Sequence, residues 1–270
     1  MTIPMFHVDA FTDRPFAGNP AAVCILSSAR DASWMQAVAA DMNLSETAFL
    51  LREGTGFRLR WFTPKVEVDL CGHATLASAH VLWREIGLPA DEPLTFATRS
   101  GALTATRRES LIELDFPREP ASDAAAPPGL LDALGLAPTY VGRNRFDYLI
   151  EVAAEEVVKL LEPDFTALGR LAVRGVIVTS RSTSPGVDFV SRFFAPGAGI
   201  NEDPVTGSAH CCLGPYWQQR LNKNTFVAHQ VSARGGVVHV RVLEQRVILG
   251  GQAVTVVRGE LCDKVVRLDR

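Results

Sequence analysis

Two short runs in this 270-residue chain have the residue types an acid–base site needs. Cys71-Gly72-His73-Ala74-Thr75 opens one helix-patterned stretch, and Thr206-Gly207-Ser208-Ala209-His210 opens another. A helix start exposes backbone N–H groups that lack intrahelical acceptors, together with the positive end of the helix dipole. Glycine and other small residues let an anion approach that backbone, so two such starts facing one cleft would suit a small carboxylate. Taken singly, ordinary capping explains each start as well. A neutral His73 could donate to a ligand or orient a carboxylate. Glu46 lies between a helix-patterned segment and the apolar run Ala48 to Leu51. Partial desolvation there would raise a carboxylate pKa toward a range useful for proton transfer, although a bond to a nearby backbone N–H accounts for the position too. Asp203, just before the second helix, is a candidate acid that a turn or cap would also explain. Asn19, in Gly18-Asn19-Pro20, could turn its amide toward a cleft or simply form a turn. A thiol at Cys71, next to a helix start, could be a base or nucleophile. The equivalent position is Thr206, so a two-thiol racemase lacks its second thiol, and a buried structural role for Cys71 is the simpler reading.

Other chemistries find little support. His80 is seven residues beyond His73, a spacing that fits no common metal motif, and His7, His210, His229 and His239 form no cluster. No CxxC, GxGxxG or Walker A run occurs, so neither a metal nor a nucleotide is expected. Lys plus Arg number 27 against 30 Asp plus Glu, a net charge of −3 with no like-charge run, which argues against nucleic acid or an anionic membrane as partner. The start, MTIPMFHVDA, lacks the basic and apolar regions of a secretory signal, and no segment approaches the ~18 apolar residues of a membrane span. Five cysteines, an odd number with Cys211 and Cys212 adjacent, suggest no disulfide framework and point to the reducing cytoplasm.

The elements that must position these residues are mostly strands. Alternation predicts strands over Pro4–Phe11, Ala21–Leu26, Ala48–Arg52, Phe57–Phe62, Leu94–Ala97, Gly101–Arg107 and Leu111–Asp115. In the second half it predicts Tyr148–Val152, Gly175–Thr179, Phe189–Phe194, Val237–Leu243 and Gln245–Leu249. Helices are expected at Ser33–Met42 with Asp31 as N-cap, His73–Ile86 stopping at Gly87, and Ser208–Leu221, with shorter ones at Leu130–Leu134 and Asp164–Leu171. The pairs Gly235-Gly236 and Gly250-Gly251 read as hairpin turns or bulges. FRLRWFTP at 57–64 and FVSRFFAP at 189–196 repeat one pattern, and the glycines that follow, Gly72 and Gly207, are 135 residues apart, half the chain. Hence two similar α+β halves are expected, joined near the linker-like SDAAAPPG of 122–129.

Four segments carry a resemblance: FTDRPFAGNPAAVC at 11–24, NLSETAFL at 43–50, FTPKVEVDLCGHATLASAHVL at 62–82 and INEDPVTGSAHCCLGPYW at 200–217. They resemble the phenazine-biosynthesis PhzF-like isomerase family, which shares the diaminopimelate epimerase fold. The resemblance implies two pseudo-symmetric halves, each a curled, mostly antiparallel sheet around a central helix. The first would comprise residues 1–120 plus 259–270, whose last strand returns to it, and the second 121–258, with the active site in the cleft between. It implies a homodimer that needs no metal or organic cofactor and acts on a small carboxylated molecule. Glu46 would be the catalytic acid–base, supported by His73 and Asp203. Asn19, Ser45, Gly72, Gly207 and Ser208 would bind substrate. An amino-acid racemase using Cys71 and a non-catalytic small-molecule binder are the alternatives.

Overall fold

A computed structural model describes residues 2–262 and divides the chain into two units. Unit 1 holds the residues up to Phe16, Pro20–Leu114 and the segment from Gln252; unit 2 holds Ala17–Asn19 and Asp115–Gly251. The stretch 122–129 lies inside unit 2.

In unit 1 the order is β1 (Thr2–Ala10), β2 (Asn19–Leu26), α1 (Ala32–Met42), β3 (Glu46–Glu53), β4 (Gly56–Phe62), β5 (Glu67–Val68), α2 (Gly72–Arg84), β6 (Leu94–Thr98), β7 (Gly101–Arg108) and β8 (Leu111–Pro117). The chain passes into unit 2 within β8. There follow β9 (Ser122–Asp123), α3 (Leu130–Leu134), β10 (Tyr140–Arg143), β11 (Asp147–Glu151), α4 (Glu155–Lys159), α5 (Phe165–Leu168), β12 (Gly175–Arg181) and β13 (Phe189–Ala195). Then come β14 (Ile200–Asp203), α6 (Gly207–Leu221), β15 (Thr225–Gln230), β16 (Gly236–Val242) and β17 (Arg246–Gly251). Finally β18 (Ala253–Cys262) pairs antiparallel with β1 from Thr2 opposite Cys262 to Ala10 opposite Ala253. The remainder of the expected closing strand, 263–270, lies outside the described residues.

The fold is α+β, and its pairing repeats. In unit 1, β2–β3 is parallel, β3–β4 and β4–β5 antiparallel, β4–β6 parallel, and β6–β7 and β7–β8 antiparallel. In unit 2, β11–β12 is parallel, β12–β13 and β13–β14 antiparallel, β13–β15 parallel, and β15–β16 and β16–β17 antiparallel. In both, one long helix enters between the two-strand insertion and the next parallel strand: α2 after β5, α6 after β14.

These helices are buried nearly all round, which requires apolar or small residues on every face. In α2 every residue from His73 to Ala79 is buried, and so are Val81, Leu82 and Trp83. In α6 the same holds from Ala209 to Trp217. Gly214 lets α6 sit close to β16, since a Cβ there would come within 2.9 Å of the Val240 side chain. Pro215, inside α6, has no N–H to give the Cys211 carbonyl; Glu119 N–H takes that carbonyl at 3.1 Å instead. In unit 1 a second core layer packs Met35, Val38 and Ala39 of α1 on Cys24, Leu26, Phe49 and Phe62.

Some local readings shift. Asp31 occupies the N-cap of α1 without a side-chain cap bond, whereas Asp164, expected inside a helix, caps α5 by accepting from Ala167 N–H at 2.9 Å. Helix α2 ends at Arg84, and Gly87, at φ +81°, turns the chain after it. Gly235, at φ +65°, leads into β16, but Gly250 and Gly251 lie within β17, where Gly250 pairs with His239 in the ladder rather than forming a turn. Among the described residues no helix is long and apolar enough to cross a membrane.

Candidate active site

Unit 1 brings Glu46, Cys71 and His73 together. Glu46 is the first residue of β3, opposite Ala21 of β2. Cys71 is the N-cap of α2 in extended backbone, and its carbonyl accepts from both the N–H and the hydroxyl of Thr75. That anchors the helix start and sets His73 on the first turn. The imidazole lies between the two partners. Its Nδ1 is 3.6 Å from Cys71 Sγ, and its Nε2 is 3.1 Å from Glu46 Oε2. Side-chain exposure is 6% for His73 and 13% for Glu46, so the pair sits largely out of water. Although the Glu46 contact is close, it is off-line for a hydrogen bond, and buried Nε2 has no aligned acceptor among the described residues. Ser45, half-buried, immediately precedes Glu46, and Gly72 is the first residue of α2.

Electrostatics separates the two proton carriers of this row. Burial pushes the Cys71 thiol up to about 11, with the Glu46 carboxylate adding to the rise and His73 opposing it. At neutral pH Cys71 is therefore a thiol. Burial disfavours a charged His73, while Cys71, through the charge of its thiolate form, and Glu46 act the other way and raise its pKa well above the ordinary histidine value. Glu46, Cys71 and His73 are also a group whose donor atoms lie within 4.8 Å of one another. However, thiol and carboxylate lie on different ring nitrogens, whose lone pairs diverge. The geometry is that of a proton relay more than a chelate.

Unit 2 gathers Asn19, Asp203, Gly207 and Ser208. Asp203 ends β14; its Oδ1 accepts from Asn19 Nδ2 at 2.7 Å and its Oδ2 from the Thr206 hydroxyl at 2.5 Å. Asn19 also donates to Val205 O at 2.9 Å, and its buried Oδ1 has no partner among the described residues. Thr206, the N-cap of α6, donates its N–H to Gln230 Oε1 at 2.9 Å, while Gln230 Nε2 donates to Asp203 O at 2.7 Å. Asn19 and Gln230 are wholly buried, so the 203–207 loop is held from both sides. Gly207 is the first residue of α6 and Ser208 the second. Arg174 Nη2 lies 3.3 Å from Ser208 Oγ, and the same guanidinium is clamped by wholly buried Asp147. His210 donates from Nδ1 to Thr206 O at 2.8 Å; burial holds its pKa down to about 4.

Gln230, Arg174 and Asp147 escaped the sequence reading. Gln230 ends a strand with no neighbouring motif, and Arg174 and Asp147 meet across 27 residues with no local pattern. The scaffold repeats, but its chemistry does not. Thr206 stands where Cys71 stands and Ser208 where His73 stands; Gly175 opens β12 as Glu46 opens β3. The Thr206 hydroxyl is already committed to Asp203.

Comparison with known proteins agrees with this architecture. The profile of the phenazine biosynthesis-like protein family matches residues 8–259. An uncharacterized isomerase of Halalkalibacterium halodurans is 60% identical over 262 residues, covering 97% of this chain and 99% of that protein. The crystal structure of a PhzF-family phenazine biosynthesis protein from Enterococcus faecalis superposes with a TM-score of 0.93 at 46% identity, covering 97% of this chain and all of the other. A hydroxyproline epimerase from Agrobacterium vitis shares the fold at a TM-score of 0.63 and 11% identity, with 96% and 92% covered.

Proposed function

Because the chain belongs to the phenazine biosynthesis-like family of isomerases, we propose that it moves a proton on a small carboxylated substrate by acid–base catalysis through Glu46, without a cofactor. The observation that carries this reading is the buried Cys71–His73–Glu46 row, in which the thiol is held protonated while the Glu46 side chain lies against the imidazole. Glu46 as carboxylate takes a proton from one carbon, and the carboxylic acid so formed returns it to another. The proton removed equals the proton delivered, so the enzyme ends as it began. His73 stabilises the carboxylate form, and its unaligned Nε2–H is free to turn toward substrate. Asp203, oriented by Asn19 and Thr206, would engage an amino or hydroxyl group, and Ser45, Ser208 and the amides of Gly72 and Gly207 would bind the carboxylate. General acid–base catalysis supplies roughly 10²–10⁴-fold; positioning and donors aimed at developing charge supply the rest. A homodimer in the cytoplasm belongs to the same reading; five free cysteines are in keeping with the reducing compartment.

Proton NMR in D₂O tests it, using dihydro-hydroxyanthranilate and common amino and hydroxy acids as candidate substrates. Isomerisation or deuterium uptake should vanish in Glu46→Gln while substrate binding persists. Exchange that survives in Glu46→Gln but is lost in Cys71→Ser would replace this mechanism with a thiol racemase.

A further inference from the structure

The far end of α2 borders a cavity of about 540 Å³ within unit 1, walled by the last turn of α2, by β7 and β8, and by β18. That volume is in the usual range for small-molecule pockets. Its walls carry more donors than free acceptors. Arg258 is spent on Glu85, with Nε 2.5 Å from Oε2 and Nη2 2.9 Å from Oε1. Thr255 donates its hydroxyl to Glu85 Oε1 at 2.7 Å, so the 3.0 Å contact between His80 Nε2 and Thr255 Oγ1 must be donated by the histidine. Arg84 and Arg107 line the cavity and have no hydrogen bond or ion pair among the described residues. Elsewhere in unit 1, Arg58, Arg60, Arg99 and Arg108 each face a carboxylate. Trp83, also on the wall, is buried, and its indole Nε1 has no acceptor among the described residues. Asp13 is the one other carboxylate on the wall, and no ion pair joins it to either arginine. A cation in the last turn of a helix suits the dipole, which would explain Arg84 alone. It does not explain Arg107.

We propose that this cavity binds a small multivalent oxyanion, a phosphate ester or a polycarboxylate, held by Arg84 and Arg107. Two guanidiniums without a carboxylate partner match an oxyanion and nothing cationic. His80 is already held down to about 4 by burial, with Glu85 opposing and Arg84, Arg258 and Arg107 adding to the depression. A bound anion offsets those guanidiniums, so the His80 titration moves up on binding. The proposal is independent of the role given to Glu46.

The test is an NMR titration of the full chain with inorganic phosphate, pyrophosphate and citrate at constant ionic strength, following the Trp83 indole (assigned with Trp83→Phe) and the His80 ring. Saturable Trp83 shifts and a higher His80 midpoint are expected, with the pyrophosphate-to-citrate preference separating the two ligand classes. Calorimetry should show about tenfold weaker binding for each of Arg84→Ala and Arg107→Ala, and unchanged binding for the control Arg58→Ala. Both arginines are exposed, so the variants should fold. Absence of saturable Trp83 shifts with all three anions, or equal affinity in the double arginine variant, overturns the proposal.

Discussion

Iodoacetamide should leave Cys71 almost untouched at pH 7.5 while Cys262 reacts. The alkylating species is the thiolate, so the rate follows the thiolate fraction before access is considered. Cys71 is raised from 9.0 to about 11, first by burial and then by the Glu46 charge, against the pull of His73 and the Ala74 N–H. Two units make the thiolate about 100-fold scarcer than for an ordinary thiol, equivalent to about 2.7 kcal/mol. Cys71 is also only 6% exposed, whereas Cys262 is on the surface, so access widens the gap. Peptide mass spectrometry over a pH series reads every cysteine at once, and Cys24 and Cys212, pushed up to about 12, serve as buried references. In Glu46→Gln the removed charge should bring the Cys71 midpoint down and speed its labelling. Isomerase activity should survive once Cys262 is fully alkylated. Labelling of Cys71 at the rate of Cys262, with activity lost in step, would refute the reasoning. It would mean that the thiolate is preformed and that the relay runs from sulfur.

Two further outcomes follow from buried groups in unit 2. His210 is held at about 4 against an ordinary 6.5, so the unfolded chain takes up a proton first as the pH falls. Stability is therefore full above about 6.5 and falls toward pH 4 by about 3 kcal/mol from this residue. Urea unfolding from pH 7.5 to 4.5 should show that slope, and His210→Asn should flatten it, leaving the share that His80, held at about 4 in the same way, contributes. Asp147→Asn should destabilise by about 1–3 kcal/mol. It lies below the cost of stranding a buried charge, because Arg174 is 43% exposed and can turn to water; a urea midpoint near wild type would show that the clamp contributes little.

The long strands and both central helices are legible in the sequence because alternation and all-round apolar helices are what burial demands. Two of the elements that escaped hold residues that serve the loop before α6. Strand β15, Thr225–Gln230, alternates properly, with Phe226 and Ala228 inward, but its third inward residue is Gln230. A glutamine where the pattern asks for an apolar side chain hides the strand, and it is there because Thr206 and Asp203 need its amide. Strand β14 reads Ile-Asn-Glu-Asp, with no apolar alternation; pairing with β13 makes it a strand, and Asp203 at its end is what it delivers. Asn19 lies on the other side of the same account. Its loop is readable, but nothing local shows that its amide is taken by an aspartate 184 residues away. Glu46, His73 and Cys71 were legible because each stands at the start of an element, Glu46 first in β3, Cys71 at the N-cap of α2 and His73 on its first turn. The duplicated pairing order then explains why only one unit holds a relay. The same scaffold positions offer Glu46, Cys71 and His73 in unit 1 but Gly175, Thr206 and Ser208 in unit 2, and Thr206 is already bonded to Asp203. A repeated fold fixes where groups can stand, and under the proposed mechanism the residues at those places give unit 1 the proton carrier and leave unit 2 to position polar atoms.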